Sequence, residues 1–427
     1  MKIFLDRIWS EKSSFCKFLS ATQKPNLNIV KTVEEIIEEV KKNGDAALIS
    51  YSNKLDKTSF KKSEDLCVSQ KEILDSEKFV SKEVREALKI AYSRIESYHK
   101  KQLPEDFDFI DEAGVRLGNF WRAIDPVGIY VPGGTASYPS SVLMSAVPAI
   151  AAGVKEIVMC APSSAGKINP AILFAAKICG IKKIYKIGGA QAIAALTYGT
   201  KTIEKVNKIV GPGNSYVATA KKILFGEVGI DMIAGPTDVT IIADKNNNPD
   251  WIAADALSQL EHGTDSKAFI ITDDKNFALK ISAAIASLSQ KLPRKKIIEQ
   301  SLKNSAILVI KNLDDAAEIV NFIAPEHLEI ATKNPQKFLP KIKNAGAIFL
   351  GNYTPEAIGD YIAGPSHTLP TSSSAKFSSG LSVFDFLKRI SLISCDKKSF
   401  LKLAKATSAL AGCEGLDAHK LSIEIRK

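Results

Sequence analysis

The residues best able to do chemistry are the histidines His99, His262, His327, His367 and His419, and the last four each stand beside carboxylates, amides or glycines. Singly, each is most simply a polar residue at a helix end or in a loop; four patches of similar make-up point to one site. In DALSQLEHGTDS, residues 255–266, the pattern reads as a helix ending at Gly263, with Gln259 and His262 three apart on one face. An imidazole and an amide oxygen pointing the same way could be two ligands of a borderline metal such as zinc. In APEHLEI, residues 324–330, Pro325 suits the first position of a helix, which would put Glu326 and His327 in its first turn. The positive end of that helix would keep the imidazole neutral and the carboxylate ionised, as two successive proton removals require. Asp360 and His367 fall in GDYIAGPSHTLPT, a stretch too rich in glycine and proline for regular structure, and Glu414 and His419 fall in CEGLDAHK near the C-terminus. Gln259, His262, Asp360 and His419 together would make a nitrogen and oxygen ligand set for zinc that needs no cysteine.

The elements that must position these groups are legible from periodicity. TVEEIIEEV, residues 32–40, carries a capping-box pattern, Thr32 with Glu35, and stops at Asn43-Gly44. A longer helix spans about 81–101, with Val84, Leu88, Ala91, Ile95 and Tyr98 on one face and His99 off that stripe, solvated and without a role. From Val127 short β-branched runs alternate with alanine-rich stretches: VGIYV, PSSVLMSAVPAIAAG, KEIVMC, NPAILFAAKICG, KIYKIG, AQAIAALTYG, KIVGPGN. A second series starts at VTIIAD and runs through KAFIITD, AILVI and GAIFL. Alternating strands and helices predict parallel sheets with covered faces, hence two α/β units. After Leu381 the chain reads as a helix-rich appendage whose Phe384, Phe386, Leu387, Ile390, Leu401 and Leu403 should dock onto something, another subunit included.

Composition narrows the class. Over 427 residues, 45% hydrophobic and 24% charged, the chain is an ordinary globular one with room for two or three domains. Its +10 charge is scattered, which disfavours nucleic-acid binding, and its longest apolar stretch, 141–153, is broken by Pro148, so no membrane span is expected. Cys16, Cys67, Cys160, Cys179, Cys395 and Cys413 form no CxxC pair and no signal peptide is visible, which predicts reduced cysteines in a cytoplasm. No GxGxxG follows a strand; the remaining ligand-loop candidates are YVPGG (130–134), IGGAQA (187–192) and VGPGN (210–214), each at the end of a predicted strand.

The motifs IDMIAGPT, LSQLEHG, APEHLEI, GDYIAGPSHTLPT and EGLDAHK, in this order, resemble histidinol dehydrogenase over nearly the whole chain. The resemblance implies a zinc-dependent enzyme that oxidises L-histidinol through L-histidinal to L-histidine, passing a hydride to NAD each time. By motif, Gln259, His262, Asp360 and His419 resemble the zinc ligands, and Glu326 and His327 the catalytic pair. Thr237, Glu414 and His367 resemble substrate contacts, alongside the ligands and the catalytic pair, while Tyr130, Gln191 and Asn214 resemble cofactor contacts. The implied fold is two incomplete Rossmann-like parallel-sheet domains with small N- and C-terminal helical segments. It is a homodimer in which the exchanged tail carries His419 into the partner's site. The chain would then divide into an N-terminal segment (1–24), a first large α/β domain (25–129 and 238–381), an NAD-binding domain (130–237) and a dimerisation tail (382–427). Asp238 departs from the family's usual glutamate by one methylene, and Thr237 stands where serine is also common.

Rival readings keep their own tests. A cysteine such as Cys160 could form a thiohemiacetal in the aldehyde step; the same ligand set beside a glutamate could serve a zinc hydrolase. A non-enzymatic nucleic-acid binder would need a clustered basic face.

Overall fold

A computed structural model describes residues 1–5, 10, 13–21, 27–133 and 137–427. Strand β1 (Lys2–Phe4) and helix α1 (Ser14–Ala21) are followed by α2 (Leu27–Asn43), α3 (Asp45–Leu55), α4 (Gln70–Asp75) and α5 (Lys82–Lys100). After β2 (Phe107–Ile110) and β3 (Arg116–Ala123), strands and helices alternate: β4 (Val127–Tyr130), α6 (Pro139–Ala151), β5 (Ile157–Cys160), α7 (Pro170–Ile178), β6 (Lys183–Tyr185), α8 (Gly189–Tyr198), β7 (Lys208–Val210), α9 (Ser215–Leu224) and β8 (Gly229–Ile230). The second series is β9 (Asp238–Ala243), α10 (Pro249–Leu260), β10 (Lys267–Thr272), α11 (Lys275–Ser289), α12 (Lys295–Ser301), β11 (Ala306–Val309), α13 (Ala316–Ile323), β12 (His327–Ala331), β13 (Ala347–Leu350) and α14 (Glu356–Tyr361). The tail holds β14 (Leu387–Ser394), α15 (Lys397–Cys413) and α16 (Asp417–Glu424).

Two all-parallel sheets result, ordered β6-β5-β4-β7-β8 and β1-β11-β10-β9-β12-β13. Both are doubly wound, because the chain builds outward from β4 or β9 on one side, then reverses at β7 or β12. Alternate residues feed opposite faces: Val127 and Ile129 join one apolar cluster and Tyr130, Val158 and Cys160 the other, while Val239 and Ile241 oppose Ile242 in the larger sheet. The link 231–237 leaves the carboxyl end of β8 and enters the amino end of β9 directly. The carboxyl edge of the five-stranded sheet and the amino edge of the six-stranded one therefore meet at a common cleft.

Several local expectations are corrected. Residues 27–95 pack mainly on the five-stranded sheet, α2 and α3 on one face and α4 and α5 on the other, while Arg94 of α5 also donates to the Ile362 and Ala363 carbonyls. The six-stranded sheet instead recruits the N-terminus, where Lys2–Phe4 pair with Ala306–Leu308. Helix α2 begins at Leu27, ahead of the expected capping box, and the Thr32 hydroxyl donates to the Asn28 carbonyl inside it. The buried stripe of α5 is Leu88, Ala91, Ile95 and His99. His99 is thus a core residue with Nδ1 2.7 Å from Gln102 Oε1, since the helical spacing continues to 99 rather than to Tyr98. The helix-rich tail also contributes a strand: after a 3-10 turn at Val383–Phe386, β14 pairs antiparallel with β3 in the sheet β14-β3-β2, and fully buried Phe386 anchors it to the five-stranded domain.

Candidate active site

The cleft between the two sheets holds a cavity of about 350 Å3. One wall comes from the reversal point of the five-stranded sheet, Pro132 and Gly133 after β4 and Gly211–Asn214 after β7, where doubly wound sheets place ligands. Gly211 is indispensable there: at φ 117° its Cα faces the Tyr130 carbonyl, which a β-carbon would approach to 2.1 Å. Asn214 closes this wall as the N-cap of α9, accepting from the Tyr216 and Val217 amides. The opposite wall carries Thr237, Gln259, His262, Glu326, His327, Asp360 and His367.

Glu326 and His327 reach the cleft differently from the sequence expectation. Helix α13 ends before Pro325, at Ala324 with φ 51°, and the chain enters β12 at His327. A proline just past a helix end is as natural as one at its start, and the buried HLEIA run belongs to the centre of a sheet. Charge states follow from burial and neighbours rather than from a helix dipole. Burial pushes Glu326 up to about 7, against the pull of His327 and of the Thr237 hydroxyl. Burial disfavours imidazolium at His327, but Glu356, Glu326 and Asp360 outweigh it and hold its pKa well above the usual value.

A hydrogen-bond chain fixes these groups. Gln259 Nε2 donates to Thr237 Oγ1 at 2.7 Å, and Thr237 Oγ1 donates to Glu326 Oε2 at 2.5 Å. The Asp238 amide adds a second donor to Glu326 Oε2 at 3.2 Å. His327 Nδ1 lies 3.3 Å from Gln259 Nε2 and 3.4 Å from the Asp238 carbonyl, and Nε2 lies 3.5 Å from Asp360 Oδ1. Asp360 is pushed up by burial, but its contact with His327 pulls it below the usual carboxylate range. His367 places Nδ1 3.0 Å from the Asp360 carbonyl and Nε2 3.3 Å from Ser141 Oγ on α6, bridging the two domains. Burial keeps this histidine neutral, so Nδ1–H donates to the carbonyl and Nε2 accepts from the serine.

The donors of a metal are partly assembled. Gln259 Oε1 is buried with no hydrogen-bond partner among the described residues, and His262 directs Nδ1 to the Ser258 carbonyl at 3.0 Å, leaving Nε2 as a lone-pair donor. With the Asp360 carboxylate these make a nitrogen and oxygen set that fits zinc. The tightest ligand-type cluster among the described residues is a different one, His327, Glu356 and Asp360, with candidate ligand atoms all within 4.8 Å. We read it as a buried ion triad, since His327 Nδ1 already faces Gln259 and the Asp238 carbonyl.

Other expected residues lie elsewhere. Glu414 and His419 are exposed, at the end of α15 and on α16, and do not line the cavity of their own chain. Tyr130 and Gln191 are buried behind its rim, where the Tyr130 hydroxyl accepts from the Gly189 amide at 3.1 Å. Gly134, last residue of YVPGG, lies outside the described residues. Cys160 is fully buried with its thiol pushed up by desolvation, the opposite of an activated nucleophile. Sequence reasoning missed Glu356, buried at the start of α14 and raised to about 8 by burial. TPEA there reads as an ordinary helix start, and only the fold reveals that its carboxylate faces His327, 3.9 Å away.

The histidinol dehydrogenase family model matches residues 20–427. Relatives bearing that name in Brucella suis biovar 1 (strain 1330) and Rhizobium meliloti (strain 1021) are 49% identical over 416 residues, 97% of this chain and 96% of theirs, and 50% identical over 418, 98% and 96%. A crystal structure of histidinol dehydrogenase from Elizabethkingia anophelis, 39% identical, superposes with a TM-score of 0.93 over 100% of this chain and 98% of that one. The likeness spans both walls of the cleft and every motif that builds them, and the chain belongs to the histidinol dehydrogenase family, a family of oxidoreductases.

Proposed function

We propose that the protein oxidises L-histidinol to L-histidine through L-histidinal, using NAD and zinc, with Glu326 and His327 as its proton-transfer groups. The observation that supports this most is the pairing of an acid–base couple with an adjacent unpartnered donor, Gln259 Oε1, in one buried wall of a doubly wound α/β cleft. Zinc held by Gln259, His262 and Asp360 would orient the substrate's imidazole and amine, and would engage the carboxylate that otherwise helps to charge His327. NAD, set along the Gly211–Asn214 wall with Tyr130 and Gln191 behind it, would supply the hydride acceptor. His327, carried rigidly on β12 and braced by Gln259, would remove the alcohol proton in the first oxidation from its neutral form, which metal capture of Asp360 favours. Glu326, ionisable near neutrality, takes the proton of the water that attacks the aldehyde in the second. Thr237 and His367 line the substrate side and tie it to Glu326 and to α6.

The fourth ligand, His419, and the substrate contact Glu414 belong in this reading to a partner's tail. Support comes from the tail itself: neither residue lines its own cavity, and Ile393, Leu410, Leu421 and Ile425 are more than half exposed on β14, α15 and α16. A homodimer exchanging tails would cover that apolar surface and complete each cleft. The reading places the enzyme in the cytoplasm, where six cysteines without disulfides stay reduced.

The test is NADH formation at 340 nm with L-histidinol limiting, before and after removal of metal by a strong chelator and after restoring zinc. Two NADH per histidinol, lost on stripping and regained with zinc, is the expected result. One NADH per histidinol would remove the role given to Glu326, and none from metal-loaded protein would favour hydrolysis.

A further inference from the structure

The cofactor wall has no charged group in the scheme above, yet a fully buried ion pair stands behind it. Lys221 on α9 is 2% exposed and the Asp231 side chain 0%, and Lys221 Nζ is hydrogen-bonded to Asp231 Oδ1. Both groups are otherwise spent on backbone. Lys221 Nζ donates to the Gly211 carbonyl at 3.0 Å; Asp231 Oδ2 accepts from the Gly211 amide at 2.8 Å and Oδ1 from the Met232 amide at 2.6 Å. The pair thus holds both polar groups of Gly211, the residue that passes closest to the Tyr130 carbonyl, and the first step of the link that becomes the substrate wall. An ionic pair taken out of water is an expensive way to gain stability alone, since apolar packing of equal volume does as well.

We propose that Lys221 and Asp231 are positioning residues for the hydride transfer: they fix the Gly211–Asn214 loop, and hence the nicotinamide cofactor, in register with the substrate wall. This rests on the functional reading above. The substrate end of the link has its own anchors, Gly235 N to Thr371 Oγ1 at 2.5 Å and Thr237 to Glu326 and Gln259. Loss of the pair therefore falls on the cofactor side.

Steady-state kinetics of metal-loaded wild type, Lys221→Met and Lys221→Met/Asp231→Asn test this, with NAD and histidinol varied separately, NAD affinity of each protein without substrate measured by calorimetry and expected to weaken in step with the KM for NAD, and the folded fraction followed by thermal melting. The double variant removes both buried charges, so neither is left uncompensated, while the Asn amide oxygen can still accept from one backbone amide. We expect the KM for NAD to rise at least about tenfold and kcat/KM for NAD to fall on the order of 100-fold, as for small misplacements of reacting groups. The KM for histidinol should stay within about twofold of wild type, because its anchors are intact. A folded double variant with wild-type KM for NAD, or one whose two KM values rise together, would overturn the positioning role. Wild type that forms no NADH would overturn the functional reading, and this inference with it.

Discussion

Replacing Thr237 by valine deletes one hydroxyl with little change of shape and tests how Glu326 is kept ionisable. That hydroxyl donates to Glu326 Oε2 at 2.5 Å in a site shielded from water, and the Asp238 amide at 3.2 Å is the other donor to the same oxygen. A hydrogen bond to a charged group is worth about 1.5–3 kcal/mol, and one pKa unit corresponds to about 1.4 kcal/mol. With the Asp238 amide retained, the lower end applies, a rise of about one unit. Glu326 already titrates at about 7 because burial raises it, and Thr237 is one of the groups that lower it. In Thr237→Val the acid limb should move up to a midpoint of roughly 8. The assay is kcat/KM for added L-histidinal from pH 6 to 10: the variant should lose about fivefold at pH 7, approach a tenfold loss near pH 6 and recover at alkaline pH. Thr237→Ser, which keeps the donor, should track the wild type. An unmoved midpoint, or a rate lowered equally at every pH, would refute the assignment of Glu326 as the base whose ionisation Thr237 supports.

His327→Asn should slow the first oxidation by about 100-fold or more, while Glu326→Gln mainly slows oxidation of added histidinal; equal losses in both steps for both variants would undo the division of labour. Cys160→Ala should leave turnover near normal, since the thiol is buried and held protonated, whereas abolished histidinal oxidation would revive a thiohemiacetal. Buried His99 has its pKa lowered by desolvation, so as pH falls below about 6.5 the unfolded chain takes up a proton that the folded one refuses. Stability contributed there is complete above that pH and declines on acidification. His99→Leu should flatten this part of the urea-denaturation profile, by up to about 1.4 kcal/mol per pH unit, and identical acid limbs in both proteins would place His99 in solvent.

Local patterns carried the sequence reading wherever the deciding contacts are local. Most strands from Val127 to Leu350, β12 excepted, announce themselves because parallel strands buried on both faces are nearly continuous apolar runs, as in VTIIAD and AFIIT. The same logic failed where a long-range partner decides. RLGNFWRA has mixed character and becomes β3 only because the distant Leu387–Ser394 segment pairs with it. Lys2–Phe4 is a strand only beside Ala306–Leu308. Pro325 fits two opposite local roles, and the sheet chooses between them. At the site, residue types with chemical meaning were visible in sequence, but Glu356, Lys221 and Asp231 look like ordinary surface charges until the fold buries them.

The meeting of a carboxyl edge with an amino edge also segregates the two ligands by origin. Within one chain, the cleft-lining groups assigned to histidinol hang from β12, α10, the 356–371 segment and the end of the link, on the side of the larger sheet, whereas those assigned to the dinucleotide hang from β4, α8 and β7 of the smaller one. In the proposed reaction a four-electron oxidation would consume two dinucleotides for one alcohol, so a reduced carrier would have to depart while the reactive aldehyde stays behind. In that reading the spent carrier would leave from the smaller sheet's wall while the groups on the larger sheet keep hold of the aldehyde, so that one substrate is retained through two successive visits by its oxidant.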